Sequence, residues 1–353
     1  MGIPEQSVSA WSAVANEAQA ALKDRYWNEK LGMMNQWYPP AKAFGEENFY
    51  YWWQAHVMDV LIDGLERTGE AAYRELLSEL AEGVRSYNGD TFKHNYYDDM
   101  EWTALALLRA YDATGEEPYL TNALELWEDI KTAWNDHMGG GMAWKKDQLD
   151  YKNTPANAPA SILAARLYRA YGKAEDLAWA VRIYEWNREN LVDPATGFVW
   201  DGMNRLGDGR IDKDWKFTYC QGVFIGAGVE LYLATRDEQY LQDACRTTTA
   251  CFEELCAAET LLLPDEGVDD TGLFKGILIR YLLEMEKVAP PAERDAIFAV
   301  IEANALSLRD RGLSRELGLC GPSWVNPPML PIQLSVQLSG VMLLEAMARL
   351  EKK

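Results

Sequence analysis

The sequence predicts an all-α protein built as an (α/α)6 toroid, and two observations carry that expectation. One is a repeated design. LIDGLERTGEAAYRELL, LLRAYDATGEEPYLTNALELW, AARLYRAYGKAEDLAWAVRIYEW and VELYLATRDEQYLQDAC each read as an apolar-periodic helix, a tight polar break and a second periodic helix. The other is the lack of alternating strand patterns, with only short stretches such as FVWDGM at 198–203 against about twelve helical segments. The breaks fall at Gly69, Gly115, Gly172 and Arg236. A glycine after the last apolar residue stops a helix, and the acids that follow suit the positive N-terminus of the next. Six hairpins close economically when one helix of each pair lines the centre and the other lies outside. Length alone would suggest two domains, but the repeat runs along the chain, so one domain over 1–353 is expected.

Taken in order, the first helix is expected over 8–24, around the amphipathic AVANEAQAAL. Segments 49–67 and 71–87 flank Gly69, 98–114 and 117–134 flank Gly115, 156–171 and 174–190 flank Gly172, and 220–235 and 238–257 flank Arg236. The last three are 273–287, 291–310 and 332–350. Segments 156–171, 220–235 and 332–350 are apolar nearly all round, whereas 174–190 and 291–310 carry a charged face. The even-numbered helices should therefore form the inner ring. Each follows a long loop: FGEENFYYWWQ, KHNYYDDMEW, KNTPANAP, KFTYCQG, DDTGLFKG or NPPMLPIQLS. The unusual sequences thus gather at one face of a rigid scaffold, where sites are built.

Composition removes several function classes. The 55 acids against 34 bases give a net charge of −21, which opposes nucleic acid and anionic membranes as partners. No run reaches the roughly 18 apolar residues of a spanning helix. The start lacks the basic and apolar stretches of a signal peptide, so a cytoplasmic protein is expected, with a secreted form whose leader was removed as the alternative. A monomer is expected. The five cysteines, Cys220, Cys245, Cys251, Cys256 and Cys320, contain no CxxC pair and read as reduced thiols. No metal site and no cofactor are expected. The 14 tryptophans and 18 tyrosines point instead to a wet, selective pocket, because their rings join an apolar face to a polar edge.

The strongest chemical candidate is Asn95-Tyr96-Tyr97-Asp98-Asp99-Met100-Glu101-Trp102. One reading is a capping box, with Asp98 as N-cap and Glu101 three residues on. The other is a catalytic pair. Two charges about 5.5 Å apart at an effective dielectric of about 20 repel by roughly 3 kcal/mol, or about two pKa units, so one acid stays protonated beside an ionised neighbour. Retaining glycoside hydrolysis needs that division. Trp52, Trp53, Tyr96, Tyr97, Trp102 and Trp144 fall at the same face, where aromatic planes can stack on a sugar while Asn and Gln bond its hydroxyls. Gly139-Gly140-Gly141 reads as a flexible turn delivering Trp144, or a plain linker; it lacks the ending of a phosphate loop. His56 is either packed or a hydroxyl partner, His94 and His137 read as loop residues, and Asp269-Asp270 reads as a helix cap.

Six ordered motifs, YYWWQAHVMDVLIDG, NYYDDMEWTALALLRAYDATG, GGGMAW, KNTPANAPASILAARLY, FTYCQGVFIGAGVELY and FKGILIRYL, make the chain resemble glycoside hydrolase family 76, the α-1,6-mannanases. The resemblance covers nearly the whole chain. It implies an (α/α)6 barrel and a retaining hydrolase acting on α-mannan or mannooligosaccharides, with Asp98 as nucleophile and Asp99 as general acid/base. Substrate contacts are expected from the six aromatics above and from Gln54, His56, Asn95, Asn157, Tyr219, Gln221 and Lys275. Two motifs depart from the family pattern: Cys220 stands where an Asn is usual, and Thr154-Pro155-Ala156-Asn157 replaces an Ile-Ser-Asn stretch. A transglycosidase, an epimerase on a related toroid and a non-catalytic glycan-binding toroid are the rival readings. The epimerase would need paired histidines on inner helices, and only His56 qualifies.

Overall fold

The tight breaks behave as the glycines predict. Gly69, Gly115 and Gly172 take left-handed conformations, with φ of 73°, 72° and 69°, and each donates its N–H to the carbonyl four residues back. Arg236 does the same at φ 64° without the glycine. This geometry uses a carbonyl the helix leaves unpaired and turns the chain back at once.

The computed structural model describes residues 10–40 and 50–352, and among them finds twelve α-helices. They are α1 (Ala10–Tyr26), α2 (Tyr51–Thr68), α3 (Ala71–Tyr87), α4 (Tyr97–Thr114), α5 (Glu117–Ile130), α6 (Thr154–Tyr171), α7 (Ala174–Leu191), α8 (Thr218–Thr235), α9 (Glu238–Leu255), α10 (Thr271–Glu286), α11 (Pro291–Ser307) and α12 (Leu334–Leu350). The expected helix starts at 8 and 49, and loop residues 44–49, lie outside the described residues. α6, α8 and α10 each begin two residues earlier than expected, at threonines that precede the apolar periodicity. α5 and α11 stop early, the first running into a 3-10 turn at Lys131–Ala133 and the second widening into a π-turn at Leu308–Gly312.

The even-numbered helices close a ring, each contacting the next from α2 through α12 and back to α2, while the odd ones pack outside them. The fold is an (α/α)6 toroid. Inner helices are buried on nearly every side, α12 from Leu334 to Ala348 without a break, whereas α3 and α5 bury a single stripe. At Gly222 of α8, a Cβ would come within 2.7 Å of the Leu278 Cα, so this glycine sets how closely α8 approaches α10.

The chief departure from the sequence reading is a three-stranded antiparallel sheet of Ala143–Lys145, Gln148–Asn153 and Gly202–Met203. QLDYKN is too polar to show a strand period, and hairpin pairing rather than a buried face creates it. A second short pair, Trp37–Tyr38 with Ile332–Gln333, ties the N-terminal segment to the start of α12.

At the ring's other end, α2, α4 and α10 are joined by buried ion pairs. Arg109 Nη2 lies 2.8 Å from Asp63 Oδ1, Arg280 Nη2 lies 2.7 Å from Asp63 Oδ2, and Arg109 also pairs with Asp59. Burial alone would raise both carboxyls, but Arg280 and Arg109 overcome it and hold them well below the usual range. Asp63→Ala leaves two guanidiniums short of a partner and should cost about 3–5 kcal/mol at pH 7. A depressed carboxyl stabilises above its unfolded pKa of about 4 and loses that contribution as pH falls. Urea unfolding should therefore show the gap between wild type and variant narrowing below about pH 4; a constant gap would contradict this account.

Candidate active site

A cavity of about 790 Å³ opens at the face where the inner helices begin. Its walls come from the first turns of α2, α4, α8 and α10, from the three-stranded sheet and from the loop before α8. With Pro155 of α6, five helix N-termini thus border one space, and each favours negative charge nearby.

Asp98 and Asp99 both border it. The N-cap of α4 is Tyr96, in extended conformation and without a side-chain cap bond, so the aspartates stand in the first helical turn. This corrects the capping-box reading. Asp98 Oδ1 accepts the Asp99 N–H at 2.9 Å and Oδ2 accepts the Trp144 indole N–H at 3.0 Å. Asp99 Oδ2 lies 3.2 Å from His94 Nδ1. The His94 ring stacks on Tyr51 at 4.8 Å and on Tyr96 at 5.6 Å, which holds it in place. Burial pushes both carboxyls above the ordinary range, and Asp99 beside it pushes Asp98 further. Glu101 lies one turn below and fully buried, its carboxyl held well above the usual range by burial and then by Asp98.

Two further carboxylates face the cavity, and the sequence reading missed both as site residues. Asp201 accepts bonds from the Tyr219 hydroxyl at 2.9 Å, the Tyr151 hydroxyl at 3.1 Å and the Cys220 thiol at 3.5 Å. Asp270 occupies the N-cap position of α10 but makes no side-chain cap bond. Its Oδ1 instead accepts the indole N–H groups of Trp52 at 2.9 Å and Trp53 at 3.0 Å. Asp201 stood in the FVWDGM stretch, which drew attention only as a strand fragment. His94, read as a loop residue, is also part of the wall.

Of the remaining candidates, Trp52, Tyr96, Trp102, Trp144 and Tyr219 border the cavity. The others lie behind the wall or beside it. Trp53 stacks on Tyr50 at 4.2 Å while its N–H supports Asp270. His56 is buried, with Nδ1 3.2 Å from Asp59 Oδ2, and so connects the aromatic wall to the ionic network below. Tyr97 bonds Thr132, Asn95 bonds Asp147 at 3.4 Å, and the Lys275 ammonium donates to the Pro322 carbonyl at 2.6 Å above the Trp324 ring. Gln54, Asn157 and Gln221 share one task. Each amide pairs with both the N–H and the carbonyl of one loop residue, Met34, Met142 and Val199 respectively. Asn157 and Gln221 thereby hold the segments that lead to Trp144 and Asp201 in the wall.

The glycine run is a packing device rather than a flexible turn. A Cβ on Gly141 would lie 2.6 Å from the Trp186 ring, and one on Gly140 would lie 2.8 Å from Trp134. Lys152 fixes the same segment, donating from its buried ammonium to the Gly141 carbonyl at 2.7 Å. Trp144 then meets Tyr96 and Tyr151 edge-on, at 5.1 and 5.5 Å. Among the described residues, no group of three His, Cys, Asp or Glu side chains is arranged to hold a metal ion.

Residues 10–351 match the model of glycosyl hydrolase family 76. The chain belongs to that family, the α-1,6-mannanases. Its structure is similar to the α-1,6-mannanase of Salegentibacter sp. HEL1_6, with 41% identity, 96% of this chain and 99% of that one covered, and a TM-score of 0.90. It is likewise similar to the Lin0763 protein of Listeria innocua, at 40% identity, 98% coverage of both chains and a TM-score of 0.91. A curated relative, mannan endo-1,6-alpha-mannosidase DCW1 of Candida glabrata, is 24% identical over 306 residues, covering 78% of this chain and 67% of its own length. The chain spans 62% of a putative mannan endo-1,6-alpha-mannosidase of Schizosaccharomyces pombe.

The indole bond to Asp98 gives a direct test of this family 76 site. Trp144→Phe keeps an aromatic face and removes one hydrogen bond to a carboxylate, worth about 1.5–3 kcal/mol. A fall in kcat of about 10- to 100-fold with an unchanged melting temperature is expected from steady-state assays; equal kcat would show the bond to be dispensable.

Proposed function

We propose that this family 76 glycoside hydrolase cleaves α-1,6-mannosidic bonds with retention, Asp98 acting as nucleophile and Asp99 as general acid/base. The observation that carries the reading is the pair of adjacent carboxylates in the first turn of α4, facing an aromatic-lined cavity. The Salegentibacter mannanase supports the substrate class: a variant inactivated at two adjacent aspartates was solved with α-1,6-mannotriose, and another with α-1,6-mannotetrose. The 790 Å³ volume suits several sugar units rather than one.

Hydrogen bonding argues for the division of roles. Near neutrality, two buried neighbouring carboxyls hold one proton between them. Both Asp98 oxygens accept N–H donors, which favours its anion against the upward push of burial and of Asp99. Asp99 has one such contact, Oδ2 to His94 Nδ1 at 3.2 Å, so fewer donors hold its anion than hold that of Asp98. In the first step, an Asp98 oxygen bonds to the anomeric carbon as the bond to the leaving O6 breaks, and Asp99 gives that oxygen its proton. In the second, Asp99 takes a proton from water, whose oxygen bonds to the anomeric carbon and releases Asp98. Aromatic walls on both sides align the sugar chain and exclude other water.

Asp99→Ala should slow hydrolysis of α-1,6-mannooligosaccharides by about 10²–10⁴. An aryl mannoside, whose phenolate leaves without a proton, should still form the covalent intermediate, and added azide should trap it as the α-mannosyl azide. Asp98→Ala should be slow with every leaving group, and any azide product should have inverted configuration. Matched rescue of both variants would overturn the role assignment, and unchanged turnover in both would overturn the reading itself.

A further inference from the structure

Asp270 sits at the start of α10, which stands diametrically opposite α4 in the ring of six inner helices. An aspartate there would ordinarily cap its own helix. This one does not, and it is turned into the cavity instead. Both indole N–H groups of the Trp52-Trp53 pair converge on the same oxygen, Oδ1, from α2. Two donors on one oxygen fix the plane of the carboxylate. Among the described residues, Oδ2 has no bonding partner. The residue is solvent-exposed and borders the cavity.

Such an arrangement is poor as a structural anchor and good as an acceptor. An anchor would use both oxygens, and a neutral amide would satisfy two indoles without the cost of placing a charge among aromatic rings. Sugar hydroxyls are donors, and an ionised carboxylate accepts them more strongly than any neutral group. The platform for the ring is adjacent: Trp52 lies 6.3 Å from Trp102 at 33°, forming an aromatic corner beside the carboxylate. The Asp270 charge also reaches across the cavity, where it helps hold Asp98 and Asp99 above the ordinary carboxylate range.

We propose that Asp270 is a substrate-contact residue, whose Oδ2 accepts a ring hydroxyl of the mannosyl unit resting against Trp52. This assignment rests on the mannanase reading and names the group that makes the site selective for hydroxyl pattern. A site built to bond a hydroxyl rejects the analogue that lacks it, because its own acceptor is left unpaired.

The test is kcat/KM for α-1,6-mannotriose and for its monodeoxy analogues, each lacking one ring hydroxyl, with wild type and Asp270→Asn. Wild type should lose about 10- to 100-fold on one analogue through this contact. Asp270→Asn should lose a similar factor on the parent sugar and no longer distinguish that analogue, while its discrimination among the others is kept. A structural role would lower every substrate alike. Uniform loss, or full wild-type discrimination in the variant, therefore overturns the assignment. Asp270→Ser gives the same comparison if the amide disturbs the fold. A wild type inactive on the whole series overturns the mannanase reading and this one with it, whereas an active wild type with an indifferent variant overturns Asp270 alone.

Discussion

Four of the six inner helices, α2, α4, α6 and α8, end in a turn so tight that the chain has only one way back. Left-handed residues at Gly69, Gly115, Gly172 and Arg236 send the following helix outward and antiparallel, and the longer connections are left to the opposite face. Six inner helices must then begin on that face. First-turn side chains of five of them, α2, α4, α6, α8 and α10, meet around one cavity, which is why a carboxylate pair there has several positive helix ends nearby. The site follows from the connectivity.

Charge is divided along the same axis. At the cavity end, four aspartates, Asp98, Asp99, Asp201 and Asp270, receive donors mostly from indoles, phenols and backbone rather than from cations. At the other end, Asp59 and Asp63 are neutralised by Arg109 and Arg280. Neutral donors orient a carboxylate without fixing its proton, whereas guanidiniums lock it ionised. Acid/base chemistry needs the first arrangement and ring closure the second. His56, touching Trp102 above and Asp59 below, marks the boundary.

Helix positions, the inner ring and the α4 aspartates were legible because they rest on local periodicity and on residue types with few alternative uses. The polar strand Gln148–Asn153 was not, since its partner rather than its pattern makes it a strand. Asp201 and Asp270 were hidden for a different reason: their donors, Tyr151, Tyr219, Trp52 and Trp53, come from distant segments, and only the closed ring brings them together. A subtler regularity was available. Gln54, Asn157, Gln221 and Gln337 are each the fourth residue of an inner helix, and each bonds the backbone of a segment outside the helices. Aligning the inner helices on their first turns would have separated these clamps from sugar contacts.

Double displacement at a carboxylate is the claim on which the chemistry depends, and it leaves a stereochemical record. Proton NMR followed from the first turnovers of an α-1,6-mannooligosaccharide, faster than mutarotation, reports the anomer released. The account predicts that the new reducing end appears as the α-anomer and only later equilibrates with β. First appearance of the β-anomer would mean a single displacement by water and would contradict a covalent role for Asp98.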